Sequence, residues 1–474
     1  MAFTNYDPNT STPATLVNSL LTQVSGMALD STSVLLHYGT VSGGNTSVSF
    51  YDGSLNLGIG AGLLFSTGDA VPPTSNTSSS YSGYLTDAGD TLDSADLKAV
   101  VDAAFTGAGS INDYNALQFT INVTDAAIKG VRFDVVFASD EYPEYSSSSY
   151  VDAAAVFVNG VNYALFNGSA SQPLSVLDQN LSAGNFIDNA AGVLSIEYDG
   201  VSSKLQIVAP VQQGSNTIKI AIGDTGDSAY DSALFIANMA PANYTGSGLA
   251  EVIAIPGGTS AQPLSDSSGN QVYQFNGGKN TLNITGGDDI VEGGSGSTLV
   301  QLSYGVSGIS GYTFDNGALT VQGTSGTTTM NNVSKVLLQD LAVALDTNAG
   351  EGTWNAMALV NAAFGGLSDN AVLSKWAAAA DDAASITGLA QSIISFYAPG
   401  GVSDSDVVTI LYQNIAGVAP SQDIVDSYVA QIGAGKQFAS QADLFAYAAT
   451  IEANTTGFAD LVGTLVTLDL AYFA

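Results

Sequence analysis

From about Ser31 to Met239 apolar side chains recur at every second position, in short runs punctuated by Gly, Asn, Asp and Ser. Val131, Phe133, Val135 and Phe137 alternate with Arg132, Asp134 and Val136, while Ile218, Ile220 and Ile222 alternate with Lys219 and Ala221. A period of two puts each set on one face of a strand, and many such runs between turn residues predict an antiparallel β-sandwich. Ahead of them Leu16, Leu20 and Val24, spaced four apart, predict one N-terminal helix. Gly, Ser and Pro punctuation between Pro241 and Gly248 marks a boundary, so residues 1–242 read as the sandwich domain.

Residues 243–348 read as a second, Gly-rich β segment. The pairs Gly277-Gly278, Gly286-Gly287 and Gly293-Gly294 recur after nine and then seven residues, the beat of a solenoid turn. In a calcium-binding nonapeptide the sixth position of each copy would be Asp, but Leu282 and Thr298 stand there, so a structural β-roll-like remnant is expected rather than a metal site. After Gly352 the period becomes helical. Ile386, Leu389, Ala390, Ile393, Ile394 and Tyr397 form one apolar stripe and Val425, Tyr428, Val429 and Ile432 a second. Ser403 or Asp404 is placed to cap one helix and Gly433 to end another. Gly365 to Trp376 and Gly417 to Tyr428 share one spacing, which predicts two copies of a helical unit within residues 349–474. The fold class is therefore mainly β with an all-α C-terminal domain.

Charge narrows the function. The chain has 9 Lys and Arg against 43 Asp and Glu, a net charge of −34, which excludes a nucleic-acid binder because phosphate contacts need clustered cations. No stretch approaches the about 18 uninterrupted apolar residues of a membrane span, so no membrane insertion is expected. Cys is absent, which removes disulfide and thiolate chemistry. Enzyme readings find little to build on. Gly58, Gly60 and Gly62 are followed by Leu63-Leu64-Phe65, which continues as strand rather than as the helix of a dinucleotide loop. His37, the one histidine, lies in an apolar run and no G-x-S-x-G elbow accompanies it, so no enzyme is expected.

Excess carboxylates point instead to a cation. Asp140, Glu141 and Glu144 follow one predicted strand closely, with Asp152 a few residues on, and Asp224, Asp227 and Asp231 follow another. A strand-end loop can wrap six to eight oxygens around Ca²⁺, whereas unneutralised carboxylates at that density repel and raise one another's pKa. Gly226 permits the sharp turn that would bring Asp224 and Asp227 round one ion. Calcium is thus the expected cofactor, with those seven residues as ligands.

Phe137 to Tyr145 followed by Asp152, Ile196 to Gly200 and Ala221 to Ala233, together with Leu64 to Gly68 and Ala14 to Leu20, resemble the choice-of-anchor L domain of bacterial surface proteins over about residues 8–240. That resemblance implies a secreted β-sandwich attached to envelopes or matrices, without catalysis. Leu411 to Pro420, Tyr428 and Gly433 to Gly435 resemble the helical domain of type I secreted, repeats-in-toxin-type proteins, and Leu468 to Ala474 looks like an uncleaved type I secretion signal. Together they imply a Gram-negative extracellular or cell-surface protein. A calcium-stabilised subunit that polymerises with copies of itself as a surface layer or fibre is the expected function. The competing class is an adhesin or matrix protein that binds cell-envelope glycans as a discrete molecule.

Overall fold

The computed structural model describes residues 2–22, 25–246, 248–256, 263–267, 269–315 and 317–473. They fall into two compact units, Met1–Ile253 with Gly269–Val272, and Ala254–Ser268 with Tyr273–Ala474. The Gly-rich segment and the helices thus share one unit.

In the first unit the strands are β1 (Phe3–Asn5), β2 (Met27–Thr40), β3 (Val48–Tyr51), β4 (Gly62–Ser66), β5 (Thr86–Gly89), β6 (Ile111–Val123), β7 (Gly130–Ser139), β8 (Ala153–Val158), β9 (Val161–Asn162), β10 (Phe186–Asp188), β11 (Gly200–Ser202), β12 (Leu205–Pro210), β13 (Gly214–Thr225), β14 (Ser232–Ala242) and β15 (Leu249–Ile255). One sheet runs β1-β3-β4-β14-β7-β12-β15, with β11 also on β7; the other runs β5-β2-β6-β13-β8-β9. Every pairing between these strands is antiparallel.

The alternation seen in the sequence decides which side chains meet. Val131, Phe133, Val135 and Phe137 of β7 join Ile218, Ile220 and Ile222 of β13 in the core between the sheets. Val136 and Ala138 face the opposite way and are buried under loops that carry Leu57, Ile59, Ile196 and Tyr198. On the outer face of the second sheet, helix Ala95–Ala104 packs Leu97 and Val101 over Ala116, Ala153, Ala155 and Ala221. The N-terminal helix spans Pro13–Leu20 and buries Leu16, Val17 and Leu20; Val24, expected on the same helix, lies outside the described residues.

The second unit opens with β16 (Leu264–Ser265), β17 (Gln271–Phe275), β18 (Lys279–Ile284), β19 (Asp289–Glu292), β20 (Ser297–Leu302), β21 (Ile309–Asp315), β22 (Ala318–Gly323), β23 (Gly326–Asn331), β24 (Lys335–Leu337) and β25 (Ala342–Ala344). β16, β18, β20 and β24 are parallel neighbours, and so are β19 and β23, the pattern of a short solenoid. Register stacks Leu264, Leu282, Val300 and Val336 into one ladder. Leu282, the residue that replaces a calcium-ligating Asp, is thereby a core side chain. Gly277, Gly287 and Gly294 turn the coils at positive φ, where a side chain would be strained.

Helices follow at Gly352–Phe364, Asn370–Ala380, Ile386–Tyr397, Asp404–Ala416, Gln422–Val429, Gln441–Thr450 and Glu452–Thr455. The predicted duplication is visible: two helices of 13 residues each end on a left-handed glycine, Gly365 and Gly417, and each is followed by a second helix. Ser403 caps the Asp404–Ala416 helix through the amide of Asp406. Gly433 does not end a helix. Gln422–Val429 stops on Ala430 in right-handed conformation, and Ile432 pairs with Phe438 in the turn beyond. No helix among the described residues is long and apolar enough to cross a membrane.

The chain then returns as β26 (Val466–Leu468), antiparallel to β25, with Val466 and Leu468 in the helical core beside Ala342 and Ala344. Lys335, 1% exposed, reaches Asp381 at 2.6 Å and Asp346 at 3.3 Å. Burial disfavours its ammonium, yet the two carboxylates outweigh that and hold its pKa above the usual value.

Candidate metal centre

Strand register assembles an acidic cluster at one end of the sandwich. In the first sheet Ser139, the last residue of β7, is opposite both Gly200 and Ser232. Asp140, Asp199 and Asp231, each one residue beyond those positions, therefore meet at the same strand ends. In the second sheet Gly223 is opposite Ala153, which sets Asp224 near Asp152. Seven carboxylates, Asp140, Glu141, Asp152, Glu197, Asp199, Asp224 and Asp231, are buried. None of the ion pairs among the described residues involves any of them.

The seven sort into two groups. In the first, the amide of Asp152 donates to Glu141 Oε2 at 2.6 Å, and the amide of Thr225 donates to Asp152 Oδ1 at 3.2 Å. Asp152 Oδ2, Asp224 Oδ1 and the Thr225 hydroxyl are buried without a hydrogen-bond partner. Burial raises Glu141 and Asp152 well above the carboxylate range, and Glu141 raises Asp152 further. Asp224 is pushed up to about 11 by burial, then by the charges of Asp152 and Asp227.

In the second group, Asp140 accepts from the amides of Tyr81 (2.6 Å) and Asp199 (2.9 Å). Glu197 Oε2 accepts from the Thr77 amide and hydroxyl, Asp199 Oδ1 from Asn76 Nδ2, and Asp231 Oδ1 from the Gly83 amide. Glu197 Oε1 and Asp231 Oδ2 have no partner. Burial, opposed by those donors, pushes Asp140 and Asp231 up to about 8 each. On the rim, Asp113 is raised to about 6, again chiefly by burial.

Two expected ligands are exposed rather than buried with the cluster, although the charge of Asp227 still reaches Asp224 and Glu141. Glu144 is exposed on the loop after Glu141, and Asp227 is exposed with its Oδ1 taken by the Ala229 amide in a turn. The acids of the two loops are also not grouped loop by loop. Glu141 and Asp152 from the first loop meet Asp224 from the second, while Asp140 meets Glu197 and Asp199, which the acidic spacing alone did not single out; Asp231 lies between the groups, its charge acting on Asp152 and Asp224. The signal for Glu197 and Asp199 was the alternation Ile196, Glu197, Tyr198, Asp199: Ile196 and Tyr198 pack on the sheet, and the acids between them are forced into the strand-end cluster. His37, read as a strand residue, lies in β2 with its Nδ1 2.9 Å from the Asp90 carbonyl.

Among the described residues no three of these side chains already converge on one point at ligating distance. The chemistry of the set suits a hard divalent ion: all-oxygen donors, no imidazole or thiolate, and oxygens that are buried and unpaired. Glu141, Asp152 and Asp224 would hold it.

The first unit is thus a sandwich of two antiparallel sheets with buried acids at one set of strand ends. Residues 4–240 match the choice-of-anchor L domain, and the chain belongs to that family. The domain marks a surface-associated, extracellular protein. No curated protein matches the chain. Among solved structures, a family 35 carbohydrate-binding module from an environmental isolate is similar at 14% identity and a TM-score of 0.15, over 29% of this chain and 79% of its own.

Proposed function

We propose that this surface protein is a calcium-stabilised structural subunit that assembles with copies of itself outside the cell. The observation that carries the calcium part is Asp152, wholly buried, with Oδ2 unpartnered beside Glu141 and Asp224 and no lysine or arginine paired to the group. Supporting assembly, only 11% of residues are charged, and the helical segment exposes Phe364, Phe396, Tyr397, Ile410, Val418 and Tyr447. Electron microscopy of the purified chain should show ordered polymers in millimolar Ca²⁺ that dissolve in chelator. High NaCl, which shortens the Debye length to roughly 3 Å at 1 M, should not replace Ca²⁺. An ion at a hundredfold excess over its Kd stabilises by about 2.7 kcal/mol, so the melting temperature should rise with Ca²⁺ as well. Polymers indifferent to chelator would remove calcium from the reading.

A second reading, a glycan-binding adhesin, draws on Phe364 and Tyr397, which are exposed with ring centroids 5.1 Å apart, and on the exposed Phe396 at 5.0 Å from Tyr397. Such an aromatic group can stack on a sugar ring. A chain that stays monomeric in Ca²⁺ yet is retained by envelope polysaccharide would favour it.

Export by type I secretion from a Gram-negative cell is part of the same proposal and is supported by the similarity of the C-terminal segment to such signals. Deleting the segment is a poor test because β26 completes a sheet. Residues Asp460–Ala474 fused to a passenger should instead direct it to the medium through a type I exporter; a passenger retained in the cell would refute the assignment.

A further inference from the structure

We infer that the helical segment carries both halves of a contact between two copies of this chain. The aromatic group of Phe364, Phe396 and Tyr397 on one copy enters an apolar groove on the next, lined by Leu411, Ile415, Ala416, Tyr428, Tyr447 and Ile451; the inference rests on the assembly part of the proposal above.

The duplication within the helices shows what the groove is shaped to hold. Gly365 and Gly417 each end a helix in left-handed conformation, and counted from them Phe364 corresponds to Ala416 and Trp376 to Tyr428. In the first repeat the Tyr397 ring lies 5.1 Å from that of Phe364 and 6.1 Å from that of Trp376, with Phe396 5.8 Å from Trp376. The third helix of each repeat starts at a serine cap, Ser385 or Ser440, but Ile386–Tyr397 has 12 residues and Gln441–Thr450 only 10. The shorter helix stops before any counterpart of Phe396 and Tyr397. With Ala416 also standing where the first repeat has Phe364, the second repeat keeps a groove of about 220 Å³ beside Ala416 and Tyr428. A cavity of roughly 150 Å³ between apolar side chains holds benzene, so this groove accepts a phenyl or phenol ring.

Charge selects a second copy as the occupant. Lys375 stands at the aromatic group, its Nζ over the rings of Phe396 and Trp376. Glu452 is exposed between the groove residues Ile451 and Ala453. None of the ion pairs among the described residues includes either one. Two chains of net charge −34 repel, so they can meet only where a cation of one faces an acid of the other, and Lys375 opposite Glu452 supplies that pair. The aromatic group and the groove share no residue. Each copy can therefore use both at once, a head-to-tail contact that builds a filament or a ring rather than a closed pair.

Sedimentation of full-length variants in millimolar Ca²⁺ tests this. Ala416→Phe writes the first repeat's residue into the groove of the second and should abolish polymers without lowering the melting temperature. Phe396→Ser with Tyr397→Ser removes the incoming rings and should weaken association at least roughly 30-fold, the loss of one hot-spot residue. Lys375→Glu should also weaken it, and adding Glu452→Lys to that variant should restore polymers. Mixed in equal amounts, the Ala416→Phe chain and the double serine chain should form a species of twice the monomer mass and nothing larger, because only one aromatic group and one groove remain intact. Should the double serine chain fail to fold, Lys375→Glu takes its place in the mixture. Wild-type polymers matched by equal polymers of Ala416→Phe, or a mixture that stays monomeric, would overturn the contact and leave the assembly reading standing. A wild type that never polymerises, with or without Ca²⁺, would overturn both.

Discussion

Titrating the calcium-free protein upward from pH 4 is expected to weaken it, the reverse of a protein stabilised by paired carboxylates. In the unfolded chain Asp and Glu titrate near about 4. In the native chain Asp113 stands at about 6, Asp140 and Asp231 at about 8, and Asp224 at about 11, all raised first by burial. Between those limits the native state binds more protons than the unfolded state, so the unfolding free energy falls as pH rises. The contribution is fully present below about pH 4 and is lost as the pH passes through the native values. Every one of these groups acts in the same direction, so the fall is expected across the whole window rather than at a single pH. With saturating Ca²⁺ the slope should invert over the same window, because the ion binds the ionised carboxylates and competes with their protons. Urea unfolding at pH 4 to 9, with chelator and with Ca²⁺, checks both slopes. A chelator curve that climbs with pH would show that the cluster is not a set of uncompensated acids.

The other large effect is expected at Lys335→Met. Removing the ammonium, which is itself buried, leaves the part-buried Asp346 and Asp381 without a counter-ion, and breaking a buried pair in this way costs up to about 3–5 kcal/mol. Asp346 also caps the Gly352–Phe364 helix through the Thr353 amide, so its charge matters to that helix start. The triple variant with Asp346→Asn and Asp381→Asn should recover most of the loss, since the penalty comes from the orphaned charges rather than from the missing lysine. Both tryptophans, Trp354 and Trp376, lie in the helices, so their fluorescence follows this unit specifically. An unchanged midpoint in Lys335→Met would show that the triad is neutral to stability.

How much of this could be read from the chain differs by level. Period-two alternation is a local signal, and Val131 to Phe137 and Ile218 to Ile222 took the faces it implied. The equivalence of Gly365 and Gly417 was legible for the same reason, since each ends a helix whose length the sequence repeats. The acidic cluster was half legible. Density of Asp and Glu marked the right strand ends, but which acids share a site depends on register between strands remote in sequence, Ser139 with Gly200 and Ser232, and Gly223 with Ala153. No local pattern encodes that, so acidic spacing points to the exposed Glu144 and Asp227 and not to the buried Glu197 and Asp199. Lys335 gave no signal, because its two partners come from a loop and from a helix end.

The placement of β26 bears on the order in which the second unit can fold. β25 and β26 are neighbours in space, yet all seven helices lie between them in the chain. Until residues Val466–Leu468 emerge, β25 presents one edge with no strand to pair with, and such an edge invites pairing with another chain. Contacts so distant in sequence also form slowly, because a long loop must close before they repay it. The sheet therefore closes last, after the helices between its two final strands have been made. Until then, a chain delivered from its N-terminal end keeps this edge open.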